Sequence, residues 1–408
     1  MIKQTNEKTG GGRTLLSIAL AAVFVVAAFA IITADDSSTN SSADEGAYMG
    51  AATYSVPSAT YPSLDDLPAL TAGDTITLTD NVTCTTSFVV DKDNVTLNLA
   101  GFTLTFTGSD YKAVVVRGVD GKLTINGGGS STIAAMGDEM CAVYAYDDAV
   151  VNITANITVG NYGTGIYAED DANVTFKGNI ECGDDSDGID AWNDSVISIK
   201  GNIECGDGSN GIYAYGKAKV TVTGNIECGD GSNGISALGD SVITIKGDIT
   251  VNDLTSEYSR GISAGDTAKV TVTGNITVTG ECSRGVDVWD KTVVTIKGNV
   301  TVTGTDSWGI YFGQEAQITM TGKLTVSGTD SEYAVLWYFD VGDKHVYFDI
   351  EDGVKSGSWL VYADEASPDA FFKIRESDGG GLDTMMILLI AVVALVVIAA
   401  AAFFFLKK

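Results

Sequence analysis

The chain has 408 residues, with 53 acidic against 24 basic side chains and a formal charge of −29. That balance disfavours nucleic acid and anionic lipid headgroups as partners and favours solubility and cation association. Hydrophobic residues make up 45%, enough for a large core, and 48 Gly with only 4 Pro among abundant Thr, Val and Ile predict strands joined by tight turns rather than helices.

In chain order, the first element is the apolar run at 15–33, LLSIALAAVFVVAAFAIIT, behind Lys3, Lys8 and Arg13. Residues 1–34 are therefore read as a signal peptide or a retained signal anchor, AFA at 28–30 offering a cleavage site and the length of the run favouring retention. Residues 35–63 are small, polar and without period, the composition of a disordered Ser/Thr/Ala linker. A repeat domain is expected over 64–350, a C-terminal cap over 351–376 and a Gly-rich linker over 377–384. Residues 385–406, MMILLIAVVALVVIAAAAFFFL, suffice to cross a hydrocarbon core of about 30 Å and end in Lys407 and Lys408, which the positive-inside rule keeps cytoplasmic. With both ends inside, the repeat domain is expected at the cell surface, membrane-anchored and extracellular.

Within that domain DTITLTDNVTC, SFVVDKDNVTLNLAGFTLTFT and KAVVVRGVDGKLTING alternate apolar and polar residues at irregular spacing. From Ala155 the spacing becomes regular: units begin at Ala155, Gly178, Gly201, Gly224, Gly247, Gly274, Gly298 and Gly322, in steps of 23, 23, 23, 23, 27, 24 and 24. One unit, GNIECGDGSNGIYAYGKAKVTVT, holds three short alternating stretches separated by Gly, Asp, Ser and Asn, hence three strands per turn and no helix. The predicted fold is all-β, a single-stranded right-handed parallel β-helix with three faces and about 23 residues per rung, flanked by an N-terminal and a C-terminal transmembrane-type helix.

Alternation assigns faces. In GNITVTG, Ile276 and Val278 point inward and Thr277 and Thr279 outward. The same register puts Ile180, Ile203 and Ile226 inside, and with them Cys182, Cys205 and Cys228, in the place of Val278, Val302 and Val326 in later rungs. A buried thiol ladder is expected rather than a zinc or iron–sulfur site, since the one histidine, His345, is distant. Cys84, Cys141 and Cys282 are scattered. Glu181, Glu204 and Glu227 stack outward as like charges, with Lys177, Lys200 and Lys246 across the turn as their expected counter-charges. Asp184, Asp185 and Asp187 form a calcium candidate, although the distal Glu of an EF-hand loop is lacking and solvated turn aspartates are the commoner case. No other cofactor is expected.

The second strand of each rung carries the functional signal. Ile212 and Ala214 point inward in GIYAY, so Tyr213 and Tyr215 point out. Equivalent outward positions are Tyr144 and Tyr146, Tyr167 and Glu169, Asp190 and Trp192, Ser236 and Leu238, Asp287 and Trp289, and Tyr311. Rings interleaved with acids suit a glycan or protein-contact surface, the rings packing on apolar sugar faces and the carboxylates accepting hydroxyl bonds. β-Propensity and cross-strand stacking explain the same residues without function. Catalysis finds no recognisable constellation: paired aspartates lack a partner histidine, and Arg117, Arg260 and Arg284 sit in different rungs without a visible shared cleft.

The N-terminal apolar segment, the linker, the opening SFVVDKDNVTLNLAGFTLT, the GNITVTG rungs and the C-terminal apolar run with lysines together resemble the adhesin-like right-handed parallel β-helix proteins of archaeal and bacterial cell surfaces, within the pectate-lyase-like superfold. The resemblance implies adhesion or glycan binding and carries over no catalytic residue. Sequons at Asn40, Asn81, Asn94, Asn152, Asn156, Asn173, Asn193, Asn275 and Asn299 fit an exported glycoprotein, although Asn turns followed by Thr strands also generate the pattern. The expected function is a membrane-anchored adhesin presenting an acidic, aromatic-bearing surface to extracellular glycans or surface proteins, with no nucleic-acid partner. A polysaccharide lyase or glycoside hydrolase on the same fold is the alternative, and a structural envelope component the second.

Overall fold

The computed structural model describes residues 50–331 except 138, 254–257 and 314, and beyond them the backbone of strands lying between residues 332 and 375. Among the described residues no helix is long and apolar enough to cross a membrane. Both terminal apolar runs, the Gly-rich linker and Asn40 lie outside the described residues.

Each turn of chain lays one strand on each of three walls, and successive turns pair in parallel, giving sheets of 15, 12 and 11 strands. The 15-stranded sheet, here the threonine wall, carries strands such as Val150–Thr154, Asn173–Lys177, Val196–Lys200 and Lys219–Thr223. The 11-stranded cysteine wall follows it in each rung with Ile180–Cys182, Ile203–Cys205 and Ile226–Cys228. The 12-stranded tyrosine wall completes the rung with Thr164–Ala168, Asp187–Ala191 and Asn210–Ala214. The parallel solenoid and its three faces thus agree with the sequence.

Two boundaries differ from the reading. Thr53–Val56, placed in the linker, pairs in parallel with Thr75–Leu78 and forms the outermost rung strand, because TYSV has the apolar alternation that the rest of the linker lacks. Ser63, also placed there, caps the short 3₁₀ turn Leu64–Asp66, its hydroxyl accepting from the Asp65 N–H at 3.1 Å. At the other end the pattern turns antiparallel: Glu332–Tyr338 pairs with Lys344–Phe348, and Trp359–Asp364 with Ser367–Arg375.

In-register stacking explains the repeated motif. Ile180, Ile203, Ile226, Ile249 and Ile276 form one column, each at most 1% exposed; burying such a side chain is worth about 1.5–3 kcal/mol. At the corner between threonine and cysteine walls the turn glycines stack so closely that a Cβ on Gly201 would stand 1.7 Å from the Gly178 carbonyl oxygen. The asparagine beside them makes a ladder: Asn156 Oδ1 accepts the Asn179 N–H, Asn179 that of Asn202 and Asn202 that of Asn225, each at 3.0 Å. A second ladder runs inside the next corner, where Ser209 Oγ accepts the Ser186 N–H at 3.1 Å and Ser232 Oγ that of Ser209 at 3.0 Å. The Gly-Asn punctuation therefore supplies hydrogen bonds along an exposed corner and the serine punctuation along a buried one.

Candidate functional site

The tyrosine-wall strand Asn210-Gly-Ile-Tyr-Ala departs from simple alternation. Gly211 and Ile212 are both buried while Asn210 and Tyr213 are half-buried on the outside. A Cβ at Gly211 would lie 2.3 Å from Ile226 Cγ2 and 2.7 Å from the Gly234 carbonyl oxygen, so at this rung only glycine fits the first of two successive inward positions, a place that Ala113 and Ala142 fill in earlier rungs. The residue before it is thereby turned outward, and the wall carries three outward columns rather than two.

The middle column runs Tyr144, Tyr167, Asp190, Tyr213, Ser236, Ser263, Asp287, Tyr311 in direct register. Tyr146, Glu169, Trp192, Tyr215, Leu238, Gly265 and Trp289 follow one residue beyond the inward alanine or valine of the same strands. The column that alternation missed is Lys112, Cys141, Thr164, Asp187, Asn210, Asn233, Arg260, Arg284, Trp308. Its signal in the sequence is the residue preceding each Gly-Ile or Gly-Val pair, or the Ala-Val pair in the rungs of Lys112 and Cys141.

Three groups form on this wall. At the first, Lys112 Nζ sits 3.4 Å over the Tyr144 ring, which stacks on Tyr167 at 4.8 Å with planes 19° apart. Both phenols donate to the Glu169 carboxylate, Tyr167 at 3.3 Å, and burial followed by Glu169 raises both above the ordinary tyrosine range.

The second group centres on Asp190. Trp192 Nε1 donates to Asp190 Oδ1 at 2.5 Å, and the indole lies 5.7 Å from the Tyr213 ring and 5.0 Å from Tyr215. Burial first, then the charge of Asp187, lifts Asp190 to about 7. Asp187, itself raised by burial, accepts from Asn210 Nδ2 at 2.8 Å, and Asn210 Oδ1 accepts from Asn233 at 3.0 Å.

The third group corrects the sequence reading twice. Asp287 and Tyr311 hold outward register but are buried, at 4% and 9% exposure, because the missed column lies over them. Arg260 Nε and Arg284 Nη1 both donate to Asp287 Oδ2, at 2.8 and 2.6 Å, and Arg284 lies over Trp308 at 4.8 Å and Tyr311 at 4.2 Å. Arg260 and Arg284, expected to share no site, converge on one carboxylate. Trp289 turns over Gly265, where a Cβ would meet its Nε1 at 2.2 Å.

Cys182, Cys205 and Cys228 are paired in register and at most 7% exposed, and their column continues through Val251, Val278 and Val302. Hydrogen bonding to Cys205 and burial hold Cys182 and Cys228 well above the ordinary thiol range. The expected charge relief of the glutamate ladder is not formed: among the described residues Lys177, Lys200 and Lys246 make no ion pair with Glu181, Glu204 or Glu227. The turn sends lysines to the threonine wall and glutamates to the cysteine wall.

The calcium candidates go to different places. Asp184 Oδ1 accepts the Asp207 N–H at 3.1 Å in a turn ladder, Asp185 is exposed at φ 52°, and Asp187 belongs to the tyrosine wall. A closer donor set, missed in the sequence, is Glu281, Cys282 and Asp306, whose ligand atoms lie within 4.8 Å of one another. Of the sequons, Asn81, Asn94, Asn152, Asn173, Asn193, Asn275 and Asn299 are exposed and Asn156 half-buried; Asn156, Asn275 and Asn299 also serve the corner ladder.

Comparison with known proteins agrees with this architecture. The family described as periplasmic copper-binding protein (NosD) matches residues 149–324, under half of the chain. No curated protein and no solved structure matches. The matched span covers the regular rungs and most of the tyrosine-wall groups, and the likeness and the winding both support a parallel β-helix of the kind the adhesin-like resemblance implied.

Proposed function

We propose that the chain is a surface-displayed, adhesin-like protein that binds an extended glycan along its tyrosine wall. The observation that carries this reading is the platform of Trp192, Tyr213 and Tyr215 on adjacent rungs, with Asp190 and Asp187 beside it. Rings in contact along an axis of about 4.8 Å per rung can follow successive sugars, and the adjoining carboxyl and amide groups can bond their hydroxyls. The expected export is supported by the periplasmic description of the matching family; anchoring by residues 385–406 is part of the proposal and rests on their apolar sequence.

That description also names copper. Copper(I) favours soft thiolates, and Cys182, Cys205 and Cys228 are the stacked thiols of the described region. Their column is one that valines occupy in later rungs, and a Cβ at Gly188 or Gly211 would lie only 3.3 Å from the Cys205 or Cys228 sulfur. They fit a packed core rather than a copper centre, and no step is assigned to copper.

A second reading is favoured by one observation, the lift of Asp190 to about 7 beside Asp187. A carboxyl protonated near neutrality is what a general acid acting on a glycosidic bond requires.

The full-length protein on a glycan array separates these readings. Trp192→Ala, Tyr213→Ala and Tyr215→Ala combined should keep the β circular dichroism and lose attachment by about tenfold or more. Attachment unchanged in the folded triple variant would eliminate the platform and leave an envelope component ahead. Release of oligosaccharide product by the wild type, abolished in Asp190→Asn, would establish the enzyme instead.

A further inference from the structure

From Val150 to Met320 the strands of the threonine wall form an acid-free stretch on an acidic protein. No strand of it from Val150–Thr154 to Gln317–Met320 contains an Asp or Glu, in a chain with 53 of them. Its middle outward column is polar and uncharged: Asn152, Thr175, Ser198 and Thr221 stand in direct register. Along the edge nearest the cysteine wall, Lys177 pairs with Lys200, which pairs with Thr223, and Lys246 follows one rung later.

These lysines line a real concavity. A groove of 470 Å³ spans the rungs from Asn152 to Lys246, with Thr175, Ser198 and Thr221 on its floor and Lys177, Lys200 and Lys246 on its edge. The three lysines are exposed, and none makes an ion pair with a described residue. On a chain of net charge −29, cations gathered in a groove without acidic partners mark a place for an external anion. Exposed Asp170 and Asp171 in the turn at the opposite edge favour placement of such an anion at the lysine edge.

We propose that this groove binds an acidic polysaccharide, its carboxylate or sulfate groups meeting Lys177, Lys200 and Lys246 and its hydroxyls meeting the threonine-wall side chains. The spacing favours this class of polyanion. Rungs repeat at about 4.8 Å, a distance suited to one acid group per sugar, whereas duplex DNA carries a charge about every 1.7 Å, far denser than one lysine per rung can match. Asn152, Thr175, Ser198 and Thr221 place one hydrogen-bonding side chain on each rung of a groove whose surface is otherwise mostly apolar, a mixture that suits the hydroxyls and apolar faces of a sugar chain. This site lies on a different wall from the aromatic platform and stands independently of it.

The test is calorimetric titration of the full chain with polygalacturonate and with dextran sulfate, against neutral dextran, duplex DNA and phosphatidylserine vesicles. Binding to at least one acidic polysaccharide, weakening as NaCl is raised, is expected; which of the two binds identifies the acid group. Lys177→Gln, Lys200→Gln and Lys246→Gln combined should bind about tenfold more weakly with unchanged circular dichroism, while the corresponding triple Arg variant should retain binding. The platform variant lacking Trp192, Tyr213 and Tyr215 should bind acidic polysaccharide as the wild type does, so the two sites fail separately. No binding to either acidic polymer, equal binding of neutral dextran, undiminished binding by the triple Gln variant, or tighter binding of DNA or vesicles would overturn the proposal.

Discussion

The Trp192 indole N–H donates to the Asp190 carboxylate at 2.5 Å, yet Asp190 is held at about 7 rather than lowered. A hydrogen bond to the charged form favours ionisation; burial and the neighbouring Asp187 oppose it and prevail. The platform therefore changes charge within the pH range of most natural surroundings, and the effect has a definite sign.

An unfolded aspartate titrates near about 3.9, so between that pH and about 7 the folded protein keeps a proton on Asp190 that the unfolded chain releases. The stabilisation from this proton is complete below the unfolded value and is lost as the pH rises through the folded one. Asp190→Asn, which keeps an oxygen for Trp192, is expected to melt higher than the wild type at pH 8, with the gap closing at about pH 4. Melting curves of both proteins from pH 4 to 8 test this. A gap of constant size across that range would show that the carboxyl does not titrate as described.

Cys205 stands between Cys182 and Cys228 in a column that continues as Val251 and Val278. Cys205→Val should accordingly cost less than about 1.5 kcal/mol, as volume-similar core swaps do. Cys205→Asp places a carboxyl where 5% of the residue is exposed and should lose several kcal/mol, roughly the penalty of an unpaired buried polar group or more. Urea unfolding gives both numbers, and metal analysis of the purified proteins gives a third. Stoichiometric copper or zinc, lost on Cys205→Val, would replace the packed thiol column with a metal centre.

The architecture was legible because the strongest local signals coincide with the strongest structural demands. The step of 23 residues from Gly178 to Gly201 to Gly224 reflects corners so tight that the carbonyl of one glycine occupies the Cβ position of the next. Inward Ile203 and Ile226, and the cysteines beside them, followed from alternation alone. Alternation failed at the Gly-Ile pair of the tyrosine wall, where Gly211 packs inward with Ile212 and turns Asn210 out. The same shift hid Arg260, Arg284 and Trp308, and with them the burial of Asp287. Charge relief between Lys177 and Glu181 was misjudged because four residues of separation across a sharp corner place side chains on different walls. Sequence distance is a poor guide to ion pairing in a solenoid, whose neighbours lie one rung away.

Asp287 offers the sharpest test of what the missed column does. Its side chain is 6% exposed and receives Arg260 at 2.8 Å and Arg284 at 2.6 Å, the two arginine side chains being 28% and 18% exposed. Removing a buried partner leaves the other charges desolvated and uncompensated, which costs about 3 kcal/mol or more, and here two cations would then face each other across adjacent rungs. Asp194, paired with Lys217 at 3.8 Å with both side chains more than half exposed, is the matched surface case, where loss costs under about 1 kcal/mol. Asp287→Ala is therefore expected to lower the urea midpoint clearly and Asp194→Ala barely, at constant denaturant slope. The Trp308 fluorescence of Asp287→Ala should also shift, since Arg284, which lies over that ring, loses the anchor that holds it there. Equal, small effects of the two substitutions would mean that the arginines are solvated and that the C-terminal half of the tyrosine wall is an open surface like its neighbours.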